Sequence, residues 1–112
     1  MHPRLALLKL MKRLEKQSKR PFLYQEVVTW STDGFYRETR DMVAYRRSEG
    51  CSVVEMECSA LAACAAFRNT SFGMILYTAD SLADVDKYDA RNWGGDAYEY
   101  ALTLCLNSVL EL

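Results

Sequence analysis

Residues 51–68 constrain this chain more than any other stretch. Cys51, Val53 and Val54 form a short apolar run that passes through Glu55, Met56 and Glu57 into Ala60, Leu61, Ala62, Ala63, Cys64, Ala65, Ala66 and Phe67. The run is long enough for a strand, and the segment that follows is rich in the residue that best favours a helix. Small side chains let such a helix lie very close to a sheet or to a second helix. A short buried strand feeding a small-residue helix is the unit from which α/β folds are built.

The rest of the chain continues the alternation. Between residues 4 and 19, Leu7, Leu8, Met11 and Leu14 recur at three- and four-residue spacing, with Lys9, Lys12, Arg13, Lys16 and Lys19 on the other face. This spacing predicts an amphipathic helix whose basic side is the solvated face of a domain, ended by Pro21. Residues 22–30, with Tyr24, Val27, Val28 and Thr29, predict a strand that stops at the turn around Asp33 and Gly34. Residues 37–49 carry Met42, Val43 and Tyr45 among charges and stop at Gly50, as a helix does. Strand 51–54 and helix 57–68 follow. Residues 72–79 are apolar without alternation, as expected of a parallel strand covered on both faces. Residues 80–96 read as a polar loop, and 97–110 return to helical spacing through Leu102, Leu106 and Val109.

This order predicts an α/β fold of alternating helices and mostly parallel strands in a helix-flanked sheet with right-handed crossovers. Ligands of such sheets bind beyond the carboxyl ends of the strands. That rule selects Asp33 and Phe35 after Trp30, then Glu55, Met56 and Glu57 after Val54, and Asp80 after Ala79.

Composition narrows the chemistry. A length of 112 residues predicts a single domain over 1–112. Fourteen bases against fifteen acids, net charge −1, give no bulk attraction to nucleic acid. Cys51, Cys58, Cys64 and Cys105 have no metal-binding or redox spacing, so they read as reduced thiols of a cytoplasmic protein. His2, the only histidine, lies at the terminus, so Ser-His-Asp and Cys-His mechanisms lack a base, and a metal site is not expected. No apolar stretch approaches the roughly 20 residues of a membrane span, and nothing marks secretion.

Three motifs in register carry a specific resemblance. Ser31, Asp33, Phe35 and Tyr36, then Val53, Val54, Glu55, Met56 and Glu57, then Tyr77, Thr78, Ala79 and Asp80 stand in the motif order of the nucleoside phosphorylase family. That family includes purine nucleoside phosphorylases, uridine phosphorylases and methylthioadenosine nucleosidases, and the chain resembles its C-terminal half from about Val27 onward. The resemblance implies a partial phosphorylase-type fold. It implies that Glu57 accepts hydrogen bonds from the ribose hydroxyls, that Met56 packs beneath the sugar and that Glu55 assists. A carboxylate suits a vicinal diol and an oxocarbenium-like transition state.

Phe35 resembles the aromatic that packs on the base, with Asp33 bracing the strand end. Asp80 matches the acid that protonates or hydrogen-bonds N7 of a leaving purine, and Arg91 matches the arginine that some members bring towards it. A purine is a poor anionic leaving group, so a donor there lowers the barrier directly. Tyr36 is followed by Arg37, Glu38, Thr39 and Arg40 without the glutamine of the uridine-specific branch, which favours a purine, although Arg40 keeps uridine open.

The family's phosphate site belongs to an N-terminal half that this chain lacks, in a catalytic domain roughly twice as long, within the ordinary domain range. The resemblance therefore implies phosphate as co-substrate and no other cofactor, little or no activity from this chain alone, and a homo-oligomer or complementary chain to complete the site. Hydrolysis of methylthioadenosine-like substrates, a uridine phosphorylase and a noncatalytic truncated partner subunit are the alternatives. A flavodoxin-like binding domain unrelated to nucleosides is a further one.

Overall fold

The structure is a computed structural model and describes residues 3–18 and 23–110. The expectations that rest on His2, Lys19, Pro21 and Phe22, and on the side chain of Val109, lie outside the described residues. In chain order the elements are α1 (Pro3–Gln17), β1 (Val28–Ser31), α2 (Arg40–Ser48), β2 (Cys51–Glu55), α3 (Cys58–Phe67) and α4 (Tyr98–Leu110), with 3-10 turns at Phe35–Arg37 and Arg91–Ala97. The class is α/β, with β1 and β2 pairing in parallel in a two-stranded sheet. The chain forms two compact units, Gln25–Phe72 and Met1–Tyr24 with Gly73–Leu112.

The unit Gln25–Phe72 is a strand-helix-strand-helix run. Thr29 lies opposite Val53, Trp30 opposite Val54 and Ser31 opposite Glu55, with one irregularity between Val28 and Thr29. The pairing continues one step further, where the Thr32 N–H donates to the Glu55 carbonyl at 2.8 Å. The helix expected over 37–49 divides because Glu38 (φ −79°, ψ 52°) and Thr39 (φ −69°, ψ 159°) leave the helical region. Thr39 then caps α2 by accepting the Met42 N–H at 3.3 Å. Beyond the helix, Gly50 takes φ +86°, a conformation glycine adopts without steric cost. The Arg46 guanidinium stands over the rings of Trp30 at 5.6 Å and Tyr45 at 5.4 Å while pairing with Glu49 at 2.8 Å.

α3 closes with a Schellman motif: the Asn69 N–H donates to Ala66 O at 3.1 Å and the Thr70 N–H to Ala65 O at 2.9 Å, with Asn69 at φ +53°. None of its residues is buried, and Phe67 is 86% exposed.

In the other unit α1 packs on α4. Leu10, Met11 and Leu14 are buried from α1, and Ala101 and Ser108 from α4, while the basic side of α1 faces solvent. A cavity of about 350 Å³ is lined by Leu14, Gln17, Tyr100, Thr103 and Asn107 among others. The helix expected over 97–110 is α4; its buried residues are Ala101 and Ser108, while Leu102 and Leu106 are exposed.

Residues 72–79 form no regular element, contrary to the expected third strand. A strand needs a neighbour for its ladder, and among the described residues the ladder is confined to β1 and β2, with one isolated bridge between Ser81 and Asp89. The end of the segment, at Tyr77 and Ala79, lies against the turn at Gly94. A Cβ on Gly94 would stand 3.1 Å from Ala79 Cα and 3.1 Å from the Tyr77 ring, and Gly94 has φ +75°. Gly94→Ala is expected to lower stability by about 1–3 kcal/mol through strain and crowding, read as a fall in the urea midpoint at unchanged slope.

Candidate functional site

Residues at alternate positions of a strand point to one side, so Thr29 and Ser31 share a face of β1. Parallel register sets Ser31 beside Glu55, the last residue of β2. The Ser31 hydroxyl donates to Glu55 Oε1 at 2.5 Å and the Thr29 hydroxyl reaches the same oxygen at 3.4 Å. Oε2 accepts the backbone N–H groups of Glu57 at 2.8 Å and Cys58 at 2.5 Å. Ser31 Oγ in turn accepts the Ser59 N–H at 3.0 Å. Side chains of the two strands thereby satisfy amides at the start of α3, which an α-helix leaves without internal partners.

Burial pushes the Glu55 carboxyl up. Hydrogen bonds from Ser31, from the Cys58 and Glu57 amides and from Thr29 outweigh it and hold the group below its ordinary value. Burial and the Glu55 charge push the Cys58 thiol up, so it is a poor thiolate.

Met56 and Glu57 lie in the turn that this clasp fixes, and both are exposed. Glu57 Oε2 accepts the Met56 N–H at 3.2 Å, its one hydrogen bond among the described residues. Its carboxylate therefore keeps acceptor capacity that Glu55 has used. Phe35, 76% exposed, meets the ring of Tyr36 edge-on at 6.0 Å. Asp33 pairs with Arg37 at 2.8 Å across the turn that follows β1. Glu55, Met56, Glu57, Phe35 and Asp33 all belong to the unit Gln25–Phe72.

Asp80 and Arg91 belong to the other unit. Asp80 Oδ2 accepts the Tyr88 hydroxyl at 2.8 Å. The guanidinium of Arg91 pairs with Asp89 at 3.1 Å, and its own N–H donates to the same carboxylate at 3.2 Å. Tyr88 also leans on Trp93, with ring centroids 6.1 Å apart at 54°.

Sequence reasoning missed Thr29, Tyr88 and Trp93, and it placed Ser31 in a motif without giving it a role. For Thr29 and Ser31 the signal was present as hydroxyls two apart at the end of a strand. Tyr88 and Trp93 stand in a polar loop with no period to mark them.

A carboxyl held low in the folded chain makes the unfolded chain bind more protons over the interval between the two values. Its stabilising contribution is thus complete above the ordinary value of 4.5 and is lost as pH falls through the folded value. Glu55→Gln is expected to flatten that acid limb of stability against pH, and Ser31→Ala to move it upward, both read by chemical denaturation across a pH series.

Neither a curated protein nor a solved structure matches the chain. Among the described residues no helix is long and apolar enough to cross a membrane. The family model described as the phosphorylase superfamily matches residues 1–105. With that match running over nearly its whole length, the chain belongs to the phosphorylase superfamily, a family of nucleoside phosphorylase and nucleosidase type.

Proposed function

We propose that this chain supplies the ribose- and base-binding half of a site that cleaves the N-glycosidic bond of a purine nucleoside by phosphorolysis. The observation that carries the reading is the division of labour between neighbouring acids. Glu55 has both carboxylate oxygens engaged within the fold, whereas Glu57 stands in the same fixed turn with acceptor capacity to spare. A positioned, unspent carboxylate is what a ribose diol requires, and its charge stabilises the positive character that develops on the sugar.

In this reading Met56 packs beneath the sugar and Phe35 on the base, with Asp33 holding the turn. A phosphate oxygen bonds to C1′ as the bond from C1′ to N9 breaks; the electron pair passes into the purine, and Asp80 delivers a proton at N7. Arg91 supports the loop that carries Asp80. Phosphate is a co-substrate, and no other cofactor is invoked. A complementary chain brings the phosphate-binding residues, and a second copy covers exposed apolar surface, in a cytoplasmic setting without nucleic acid or membrane.

One observation favours a second reading, a noncatalytic subunit that pairs with a complete homologue. α3 has no buried residue, and Leu102, Leu106 and Leu110 are exposed on α4, which is more apolar surface than a solitary small domain ordinarily shows.

Base release from inosine, adenosine, methylthioadenosine and uridine, each with and without phosphate, by the chain together with the partner that completes its phosphate site, tests the proposal. Purine release only with phosphate is expected, with Glu57→Ala and Asp80→Asn each lowering kcat/KM by about 10²-fold or more. Release without phosphate would replace phosphorolysis by hydrolysis. Silence on every substrate, with association to a homologue intact in both variants, would favour the subunit reading.

A further inference from the structure

A short turn in the polar loop is built at a cost that chain reversal does not explain. Arg91, Asn92 and Trp93 take φ of 44°, 50° and 52°, and Gly94 follows at 75°. Glycine adopts that conformation without penalty and asparagine at little cost, so the strain falls on Arg91 and Trp93. Local bonds hold the strain in place. Asp89 accepts from the Arg91 N–H and guanidinium, the Trp93 N–H donates to Ala90 O at 2.7 Å, and Asn92 Nδ2 donates to Asp96 at 3.2 Å. Strain over-determined in this way gathers at functional sites.

What the strain presents is an indole. Trp93 is 72% exposed, so the turn is not spent on burying it. Tyr88 stands against it at 6.1 Å and 54°, and the same tyrosine donates its hydroxyl to Asp80 Oδ2 at 2.8 Å. One side chain thus ties the carboxylate to the aromatic face. Asp80 Oδ1 accepts no hydrogen bond among the described residues.

We infer that Trp93, held by Tyr88 in the loop that carries Asp80, is a stacking platform for the purine base. The two rings, with centroids 6.1 Å apart and tilted by 54°, already pack on one another, so a flat ligand lies on the exposed face of the indole rather than between them. Every nucleobase has a face to stack, and a fused purine offers the larger one together with ring nitrogens along an edge that a carboxyl group can address. The inference assigns the base an aromatic contact in the unit of Asp80.

It rests on the reading of Asp80 as the base-side acid, and a free base is the chosen probe because its binding needs no turnover. A protein that binds base but cleaves no nucleoside would refute the proposed function and leave this inference standing. The chain has two tryptophans, Trp30 and Trp93. Titration of the full chain with hypoxanthine, exciting the indoles at the red edge of their absorption, is expected to give saturable quenching that Trp93→Phe abolishes while Trp30 still emits. Asp80→Asn and Tyr88→Phe are each expected to weaken the midpoint by about tenfold. Absence of saturable quenching, or quenching undiminished in Trp93→Phe, would overturn the inference. Should Trp93→Phe fail to fold, an unchanged midpoint in Asp80→Asn would overturn it equally.

Discussion

The Glu55 carboxylate is the interaction on which the sheet unit depends. It is the last residue of β2, and it bonds a hydroxyl from β1 through one oxygen and the first amides of α3 through the other. Strand, strand and helix are joined at one group whose charge is favoured beside a helix N-terminus. The same bonds define the path of Met56 and Glu57, since the Glu57 amide is among the donors. The direction of a candidate ribose ligand is therefore set by a neighbour whose own carboxylate is already spent. Acidic residues side by side in a sequence need not share a role; here one organises the turn and the other is displayed by it.

α3 illustrates how composition and burial separate. Its residues are small and apolar around the whole circumference, as in helices that pack closely on every side. Yet nothing in it is buried, and the stability of this segment rests on its ends, the Glu55 and Ser31 acceptors at one and the Asn69 turn at the other. Apolar surface left open on α3 and on the Leu102 side of α4 gives the chain a reason to associate, which is why a partner forms part of the proposed function.

Periodicity made α1 legible, because Met11 and Leu14 recur on the side that α4 covers while the lysines stay in water. Gly50 marked the end of α2 for the steric reason that glycine usually does. β2 was legible from its β-branched content and β1 only at its end, since residues 23–27 of the expected strand form no regular element; the Glu55, Met56 and Glu57 turn was legible from its place at a strand end. Residues 72–79 misled because an unbroken apolar run signals a buried strand only where neighbouring strands exist, and here Tyr77 and Ala79, at its end, lie against Gly94. α4 was legible as a helix from the spacing of Leu102 and Leu106, although its buried residues are Ala101 and Ser108. The part played by the Thr29 and Ser31 hydroxyls was not legible, since a hydroxyl on a strand has no evident partner until register sets it beside an acid. Tyr88 and Trp93 are joined only by tertiary structure, and no local pattern announces them.

Recognition of the ribose by Glu57 is tested most directly by calorimetry with inosine and its 2′,3′-dideoxy analogue, on the unaltered chain and on Glu57→Gln. A carboxylate that grips the diol predicts that the unaltered chain binds inosine at least about tenfold more tightly than the analogue, and that Glu57→Gln loses most of this preference. Equal binding of the two nucleosides by the unaltered chain, or a preference that survives in Glu57→Gln, would contradict it.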